Sequence, residues 1–184
     1  HYIGSKTGIE KELIGNFDIP YYGISSGKLR RYFDVKNFTD PFRILKGYSE
    51  AKKLIKKIKP DVIFSKGGFV TVPVVKAASR QKVPCVLHES DISPGLANRL
   101  CIPSATAICA NFPETIANLP EDKAYLTGTP IRSELFSGNR LKGLDFCGFT
   151  ANKPVILVIG GSLGSVRVNE AVREILPKLL EKYQ

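Results

Sequence analysis

The chain has 184 residues, of which 43% are apolar, 24% charged and 9% aromatic. This composition is close to the average of globular proteins and excludes collagen-like, low-complexity and largely disordered chains. No apolar run approaches the roughly 20 residues that a membrane-spanning helix needs, so we expect a soluble protein.

Short apolar or β-branched runs alternate along the chain with segments of helical periodicity. The runs at 61–65, 83–88 and 154–160 are apolar on both faces, which is typical of strands in a parallel sheet covered by helices. Such alternation predicts an α/β fold with a doubly wound parallel sheet. The predicted strands are 1–4, 19–24, 61–65, 83–88, 106–110, 124–128 and 154–160, and the predicted helices are 41–58, 70–80, 94–101 and 165–183.

The stretch 129–153 interrupts this rhythm with prolines and glycines, and a second strand–glycine loop–helix unit begins at Pro154. We therefore predict two Rossmann-like domains. Residues 1–150 form the first, and residues 151–184 form the first βα unit of the second. Because the chain contains no Met, begins in a predicted strand and ends in a predicted helix, we interpret it as a fragment, incomplete at its start and truncated at its end.

Two glycine loops follow predicted strands. Residues 160–165 read GGSLGS and open a helix, a form that suits phosphate because glycine lets backbone N–H groups approach an anion at a helix N-terminus. The loop matches neither G-x-G-x-x-G nor a Walker sequence, and a tight turn without a ligand is the alternative. Residues 66–69, KGGF, form the second loop. Two such loops at strand ends in different domains predict one cleft between them.

Other polar residues follow strands at the same predicted edge. His88 and Glu89 come after the buried run 83–88 and could act as a base or bind a sugar, although a structural hydrogen bond is the alternative for a lone His. Arg132 could bind a phosphate or a uracil carbonyl, or be a surface residue paired with Glu134 or another acidic residue. The four cysteines have neither C-x-x-C nor zinc spacing, so we expect buried thiols in a reducing cytosol.

Most of the net charge of +10 lies in residues 28–59, which hold eleven Lys and Arg against three acidic residues. Aromatic and aliphatic residues are interleaved with the first of these cations, a pattern that predicts docking to an anionic membrane surface. A solvated helix face is the alternative, and we do not expect nucleic acid as a partner. The predicted membrane-facing residues are Leu29, Arg30, Arg31, Tyr32, Phe33, Phe38 and Phe42.

Four motifs together resemble the MurG family of GT-B glycosyltransferases: KGGFVTVP at 66–73, HESDISPGLANR at 88–99, LTGTPIR at 126–132 and LVIGGSLGSVRVNEAV at 157–172. They occur in the family's order and span essentially the whole chain. The resemblance implies a peripheral enzyme on the cytoplasmic face of the cell membrane. It would transfer GlcNAc from UDP-GlcNAc to lipid I with inversion, giving lipid II, and would need no cofactor and no metal.

The resemblance also implies residue roles. Gly67 and Gly68 belong to a loop expected to meet the acceptor pyrophosphate, and Glu89 and Asn98 match polar positions of the cleft. Asp91 stands where many members have Asn. The family's first glycine loop, with its His, is expected before His1, which leaves the catalytic base unknown, with His88 and Glu89 as weak candidates, and makes us expect an inactive fragment. The residues matching UDP-GlcNAc contacts are Arg132, Gly161, Ser162 and Gly164.

Other functions stay open at this point. Another GT-B enzyme, such as a diacylglycerol sugar transferase or a UDP-sugar epimerase, would share the fold. A basic membrane-binding or nucleic-acid-binding module without catalysis is the alternative from a different class. A metal-chelating transferase is disfavoured because the chain has no D-x-D, and a Rossmann dehydrogenase because it lacks G-x-G-x-x-G with a downstream acidic residue.

Overall fold

The computed structural model describes residues 1–27, 40–161 and 164–184, with only the backbone of residues 40 and 41. These residues form two compact units, His1–Pro130 and Ile131–Gln184. The division falls earlier than the boundary at 150 that the sequence suggests. The assignment of two Rossmann-like domains stays a prediction.

Six of the seven predicted strands are confirmed, all in the first unit and all paired in parallel. Strands β1 and β2 pair with each other, and the order of the remaining four is β3-β4-β5-β6. The strands are β1 Tyr2–Ser5, β2 Tyr21–Ile24, β3 Ile63–Ser65, β4 Cys85–Glu89, β5 Ala107–Ala110 and β6 Ala124–Leu126.

The described strands form two parallel sheets, where the sequence predicts one. Among these residues, no ladder joins β1 or β2 to any strand of the second sheet. The α/β class with parallel strands is confirmed, and the continuous sheet is not seen among these residues.

All four predicted helices are confirmed, three of them in the first unit. Helix α2 begins at Asp40, so Pro41 lies in its first turn as predicted, and it ends at Ile58 before Lys59-Pro60. The helices α1, α5 and α6 were not predicted, because they are short or lack an apolar face. The helices are α1 Glu10–Gly15, α2 Asp40–Ile58, α3 Thr71–Arg80, α4 Leu96–Cys101, α5 Pro113–Ile116, α6 Arg140–Cys147 and α7 Val166–Leu180.

The core of the first unit lies between the β3–β6 sheet and the helices α2 and α3. Helix α3 buries Val75, Ala77 and Ala78 completely, and the small alanine side chains let α2 approach closely through Ala51. Leu87 and Ile108 cover the core from the sheet. None of the helices among the described residues is both long and apolar enough to cross a membrane.

The predicted strand at 154–160 is wrong: these residues form no ladder. Among the described residues, the backbone of this segment bonds only to Gln184: Ile156 N donates to Gln184 O (2.9 Å), and Gln184 N donates to Pro154 O (3.0 Å). A strand belongs to a ladder of backbone hydrogen bonds with a neighbouring strand, and two bonds to the single residue Gln184 do not form a ladder. Leu157 and Ile159 are consequently 79% and 81% exposed.

The expectation of buried thiols is confirmed for two of the four free cysteines. Cys85 and Cys101 are buried, and burial raises the pKa of each to about 11. Cys109 is half-buried and Cys147 is exposed. An exposed thiol in the second unit is contrary to the expectation, because that unit offers little core to cover it.

Candidate functional site

The carboxyl ends of β3, β4, β5 and β6 meet along one edge of the sheet. The register pairs Ser65 with Leu87, Glu89 with Ala110, and Ala110 with Leu126, so the residues that follow each strand become neighbours. We call this group the polar edge. Its members are Lys66, His88, Ser90, Asn111 and Gly128.

His88 connects three strands of the polar edge. Its side chain is 2% exposed, its Nε2 lies 3.0 Å from the carbonyl oxygen of Gly128, and its Nδ1 lies 2.9 Å from Nζ of Lys66. A carbonyl only accepts and an ammonium only donates, so Nε2 carries the proton and Nδ1 accepts. His88 is therefore neutral, with both ring nitrogens engaged.

Lys66 is exposed and directly follows β3. Besides its bond to His88, its Nζ donates to Oγ of Ser90 at 2.8 Å. Both partners are neutral groups. The one ion pair found among the described residues joins Lys6 to Glu50, so Lys66 forms no ion pair with a described carboxylate.

Glu89 is buried at the end of β4 and acts as the anchor of the loop that leads to α4. Its carboxylate accepts hydrogen bonds from Asp91 N (3.0 Å), Gly95 N (2.9 Å) and Asn98 Nδ2 (2.8 Å). Burial alone would raise the pKa of this carboxyl, but these bonds, with another from Ser90 N, lower the pKa below its ordinary value. The group is a stable anion whose oxygens face inward.

Asn98 reaches from α4 toward the glycine loop. Its Nδ2 donates to Glu89 and to the carbonyl oxygen of His88 at 3.3 Å. The carboxylate thereby fixes the orientation of the amide, because the opposite orientation would place two acceptors together. Its Oδ1 is buried without a partner among the described residues, and a Cβ added to Gly67 would lie 3.3 Å from that oxygen.

The glycine loop has two consecutive residues in the left-handed region, Gly67 at φ +94° and Gly68 at φ +86°. Gly67 N donates to Oγ of Ser65 at 3.2 Å, and the hydroxyl of Thr71 donates to the carbonyl oxygen of Gly67 at 2.7 Å. These bonds hold Gly67 over the start of α3. A Cβ added to Gly68 would meet no atom within 4 Å, so an incoming group can approach that position.

The segment that precedes the end of the first unit is tied to the same edge. The amides of Thr127 and Gly128 both donate to the carbonyl oxygen of Ala110, at 3.0 and 3.2 Å. Asn111 accepts from the hydroxyl of Thr129 through Oδ1 and donates to the carbonyl oxygen of Ser90 at 3.3 Å. Residues 127–129 thus form part of the polar edge, immediately before the unit ends at Pro130.

The predicted residues of the second unit are described separately. Arg132 is exposed at the start of the 3₁₀ turn Ser133–Phe136 and is not paired with Glu134. Gly161 accepts from Gly164 N at 2.8 Å, and Gly164 has φ +68°. Ser162 lies outside the described residues. That these residues meet the loop of Gly67 and Gly68 in one cleft stays a prediction.

Of the predicted membrane-facing residues, Leu29, Arg30, Arg31, Tyr32, Phe33 and Phe38 also lie outside the described residues. Phe42 is described and is exposed on α2, as is Leu45 one turn later. Membrane docking by this region stays a prediction. In the part of the chain that the structure describes, no group of three His, Cys, Asp or Glu side chains could hold a metal ion.

Sequence reasoning assigned no role to Lys66, Ser90 or Asn111, although the structure places all three at the polar edge. Lys66 and Asn111 each directly follow a strand, at Ser65 and Ala110. Their position directly after a predicted strand was the sequence feature that could have identified them. Asp91 contributes mainly backbone, because its N–H donates to Glu89 and its carbonyl oxygen accepts from the hydroxyl of Thr115 at 2.9 Å.

Residues 1–110 match the glycosyltransferase family 28 N-terminal domain. Two relatives named UDP-N-acetylglucosamine--N-acetylmuramyl-(pentapeptide) pyrophosphoryl-undecaprenol N-acetylglucosamine transferase are 69% identical to the whole chain (Lachnoclostridium phytofermentans) and 63% identical (Lachnospira eligens). The chain covers 52% of each, and so spans about half the length of these curated relatives.

Solved structures are similar as well. The crystal structure of Acinetobacter baumannii MurG superposes with a TM-score of 0.66 at 29% identity, over 99% of this chain and 46% of that one. A UDP-GlcNAc 2-epimerase from Methanocaldococcus jannaschii superposes with a TM-score of 0.59 at 15% identity, over 93% of this chain and 52% of that one. The second likeness shows the fold alone.

Proposed function

Since the chain belongs to glycosyltransferase family 28, we propose that it carries the acceptor half of an inverting enzyme that transfers GlcNAc from UDP-GlcNAc to lipid I, giving lipid II. The observation that carries the proposal is the 69% identity, over the full chain, to a relative named as that transferase. The expected partners are UDP-GlcNAc and lipid I. No cofactor is included in the proposal.

The acceptor pyrophosphate is assigned to the loop of Gly67 and Gly68. Positive φ at both residues turns the backbone sharply ahead of α3, whose first-turn N–H groups and dipole favour an anion. The open space at Gly68 supports this assignment, since a phosphate oxygen can come close to the backbone there. Any side chain at Gly67 would instead press on Asn98.

His88 and Glu89 are assigned positioning roles. A general base must be free to take a proton from the acceptor hydroxyl. His88 uses one ring nitrogen as a donor to Gly128 and the other as an acceptor from Lys66. Glu89 accepts three hydrogen bonds from its own loop and from Asn98. Both groups shape the polar edge, and the proposal places the base on neither.

The donor side of the reaction is assigned to the second unit. Arg132, Gly161, Ser162 and Gly164 are proposed to bind UDP-GlcNAc, where a guanidinium and backbone amides would stabilise the leaving diphosphate. Docking to the anionic cytoplasmic face of the membrane is assigned to the basic, aromatic stretch that ends at Phe42. The exposure of Phe42 and Leu45 supports this assignment, because apolar side chains must be free to enter the lipid boundary.

The experiment is a transfer assay on the complete gene product with UDP-[¹⁴C]GlcNAc and a lipid I analogue. We expect acceptor-dependent UDP release and a labelled disaccharide product with inverted configuration. Diacylglycerol in place of lipid I is the matched acceptor control and is expected to give no product. Conversion of UDP-GlcNAc to another UDP-sugar without acceptor, or transfer to diacylglycerol, would overturn the proposal.

A further inference from the structure

We propose that Lys66 is a positioning cation for a substrate diphosphate, held in place by the neutral ring of His88. The inference rests on the proposed function and deepens it, because it adds the side chain of Lys66 to the site. Lys66 is exposed and directly precedes Gly67 and Gly68 in the chain. Its ammonium is therefore accessible to a ligand that binds beside the loop.

Lys66 forms no ion pair with a described carboxylate. An ammonium has three donors, and two of them go to neutral acceptors, His88 Nδ1 at 2.9 Å and Ser90 Oγ at 2.8 Å. The carboxylate of Glu89, at the end of β4, accepts instead from Asp91, Gly95 and Asn98. One donor and a full positive charge therefore stay available to an anion.

The hydrogen bond to His88 fixes the position of the Lys66 ammonium. A free lysine side chain has many rotamers, and fixing it costs entropy on binding. The bond from Nε2–H to Gly128 O leaves Nδ1 as an acceptor, and this acceptor holds Nζ of Lys66 beside the glycine loop. A ligand that meets a preorganised cation loses less of its binding free energy to ordering it.

Asn98 lies at the same loop but does not itself bind a diphosphate. Its side chain is 6% exposed, and its Oδ1 is buried without a donor among the described residues. An amide oxygen only accepts hydrogen bonds, as do the oxygens of an ionised diphosphate. The diphosphate site therefore rests on the charge of Lys66 and on the backbone of the glycine loop.

The test compares Lys66→Met with Lys66→Arg in the complete gene product, with steady-state kinetics for both substrates. Loss of one charge-assisted hydrogen bond is expected to raise the KM for one diphosphate substrate about 10- to 100-fold with little change in kcat. Lys66→Arg restores most of the affinity. A rise confined to lipid I assigns the acceptor diphosphate to Lys66, and a rise confined to UDP-GlcNAc assigns the donor diphosphate.

The matched control is Lys76→Met, which removes a lysine of α3 whose Nζ also donates to a serine hydroxyl, Ser104 Oγ at 3.0 Å. It lies away from the polar edge and is expected to leave both KM values unchanged. Equal effects of Lys66→Met and Lys76→Met, or a fall in unfolding temperature for Lys66→Met with both KM values within threefold of wild type, would overturn the proposal.

His88 is tested through a double-mutant cycle. His88→Gln keeps a donor for Gly128 and an acceptor for Lys66, so it should keep the KM near wild type, whereas His88→Leu should raise it as Lys66→Met does. In the Lys66→Met background, His88→Leu should add little. Full additivity of the two effects would show that His88 does not act through Lys66.

Inorganic pyrophosphate binding, measured by calorimetry on the wild type, Lys66→Met and Lys76→Met, separates this inference from the function on which it rests. If only Lys66→Met loses pyrophosphate binding and the wild type transfers no sugar, the anion site is retained and the transferase function is rejected. The inference would be rejected, and the transferase retained, if the protein transfers sugar but Lys66→Met leaves both the pyrophosphate affinity and the KM values unchanged.

Discussion

The two units of the chain begin from the same kind of sequence and reach different structures. In the first unit, a predicted strand, glycine pair and helix follow one another. They form β3, then the loop of Gly67 and Gly68, and then α3. In the second unit, the corresponding run at 154–160 forms no ladder, although α7 follows it as predicted. The difference is that β3 has β4 beside it.

The two units also differ in how many of their apolar side chains are buried. The buried apolar residues found among the described parts of the chain lie in the first unit, apart from Leu144 in α6. Leu157 and Ile159, which the sequence pattern would place in a core, are largely exposed. Apolar periodicity therefore specifies a strand only together with the neighbours that pair with it and cover it. Three predictions test this contrast.

The largest effect is expected for Leu87→Ala compared with Leu157→Ala. Leu87 is 0% exposed in β4, and truncation of a buried leucine costs about 2–5 kcal/mol in the free energy of unfolding. For the exposed Leu157, we expect a change within about 0.5 kcal/mol. Urea unfolding of both variants, followed by circular dichroism, checks the contrast. Comparable losses would mean that 154–160 packs as tightly as β4.

A smaller effect is expected for Gly67→Ala. An alanine here must keep the positive φ of Gly67, which is strained for a residue with a side chain, and its methyl group lies 3.3 Å from the Asn98 amide. We therefore expect a loss of about 1–3 kcal/mol in unfolding free energy. Gly138→Ala is the control, because its Cβ meets nothing within 4 Å and its φ is not positive. A Gly67→Ala protein as stable as the control would show that the loop shifts at no cost.

The smallest effect is a difference in pH dependence for Glu89→Gln. The folded pKa of Glu89 lies below the ordinary 4.5, so its contribution to stability is present above pH 4.5 and is lost as the pH falls through the folded pKa. Wild type should therefore lose more unfolding free energy on acidification than Glu89→Gln. Denaturant titrations between pH 3 and 7 measure the slopes, with the exposed Glu170→Gln as control. Parallel curves for all three proteins would contradict the assignment.

Much of the first unit could be predicted from local pattern. Continuous apolar runs identified the strands, and Pro41 with Lys59-Pro60 marked the ends of α2. The short helices α1 and α5 escaped prediction, since four to six residues carry too little periodicity to recognise. The division into two sheets also escaped prediction, because pairing depends on which strands meet and leaves no mark on the strands themselves.

The candidate site was predicted in position more than in role. His88, Glu89 and Asn98 follow or face a strand end, and that much was visible in the sequence. Their partners were not, because Lys66 and Gly128 come from segments 22 and 40 residues away from His88. A role of His88 or Glu89 as a base stays a prediction, and the structure adds that both side chains are hydrogen-bonded.

By itself, the sequence determined the α/β class, the family and the residues that end each strand of the first unit, because apolar runs, prolines and glycine pairs act on the chain over a few residues. Only the tertiary structure decided which polar side chains are hydrogen-bonded to each other and which apolar run becomes a strand. Hydrogen bonds and burial depend on neighbours brought together by folding, and those neighbours are distant along the chain.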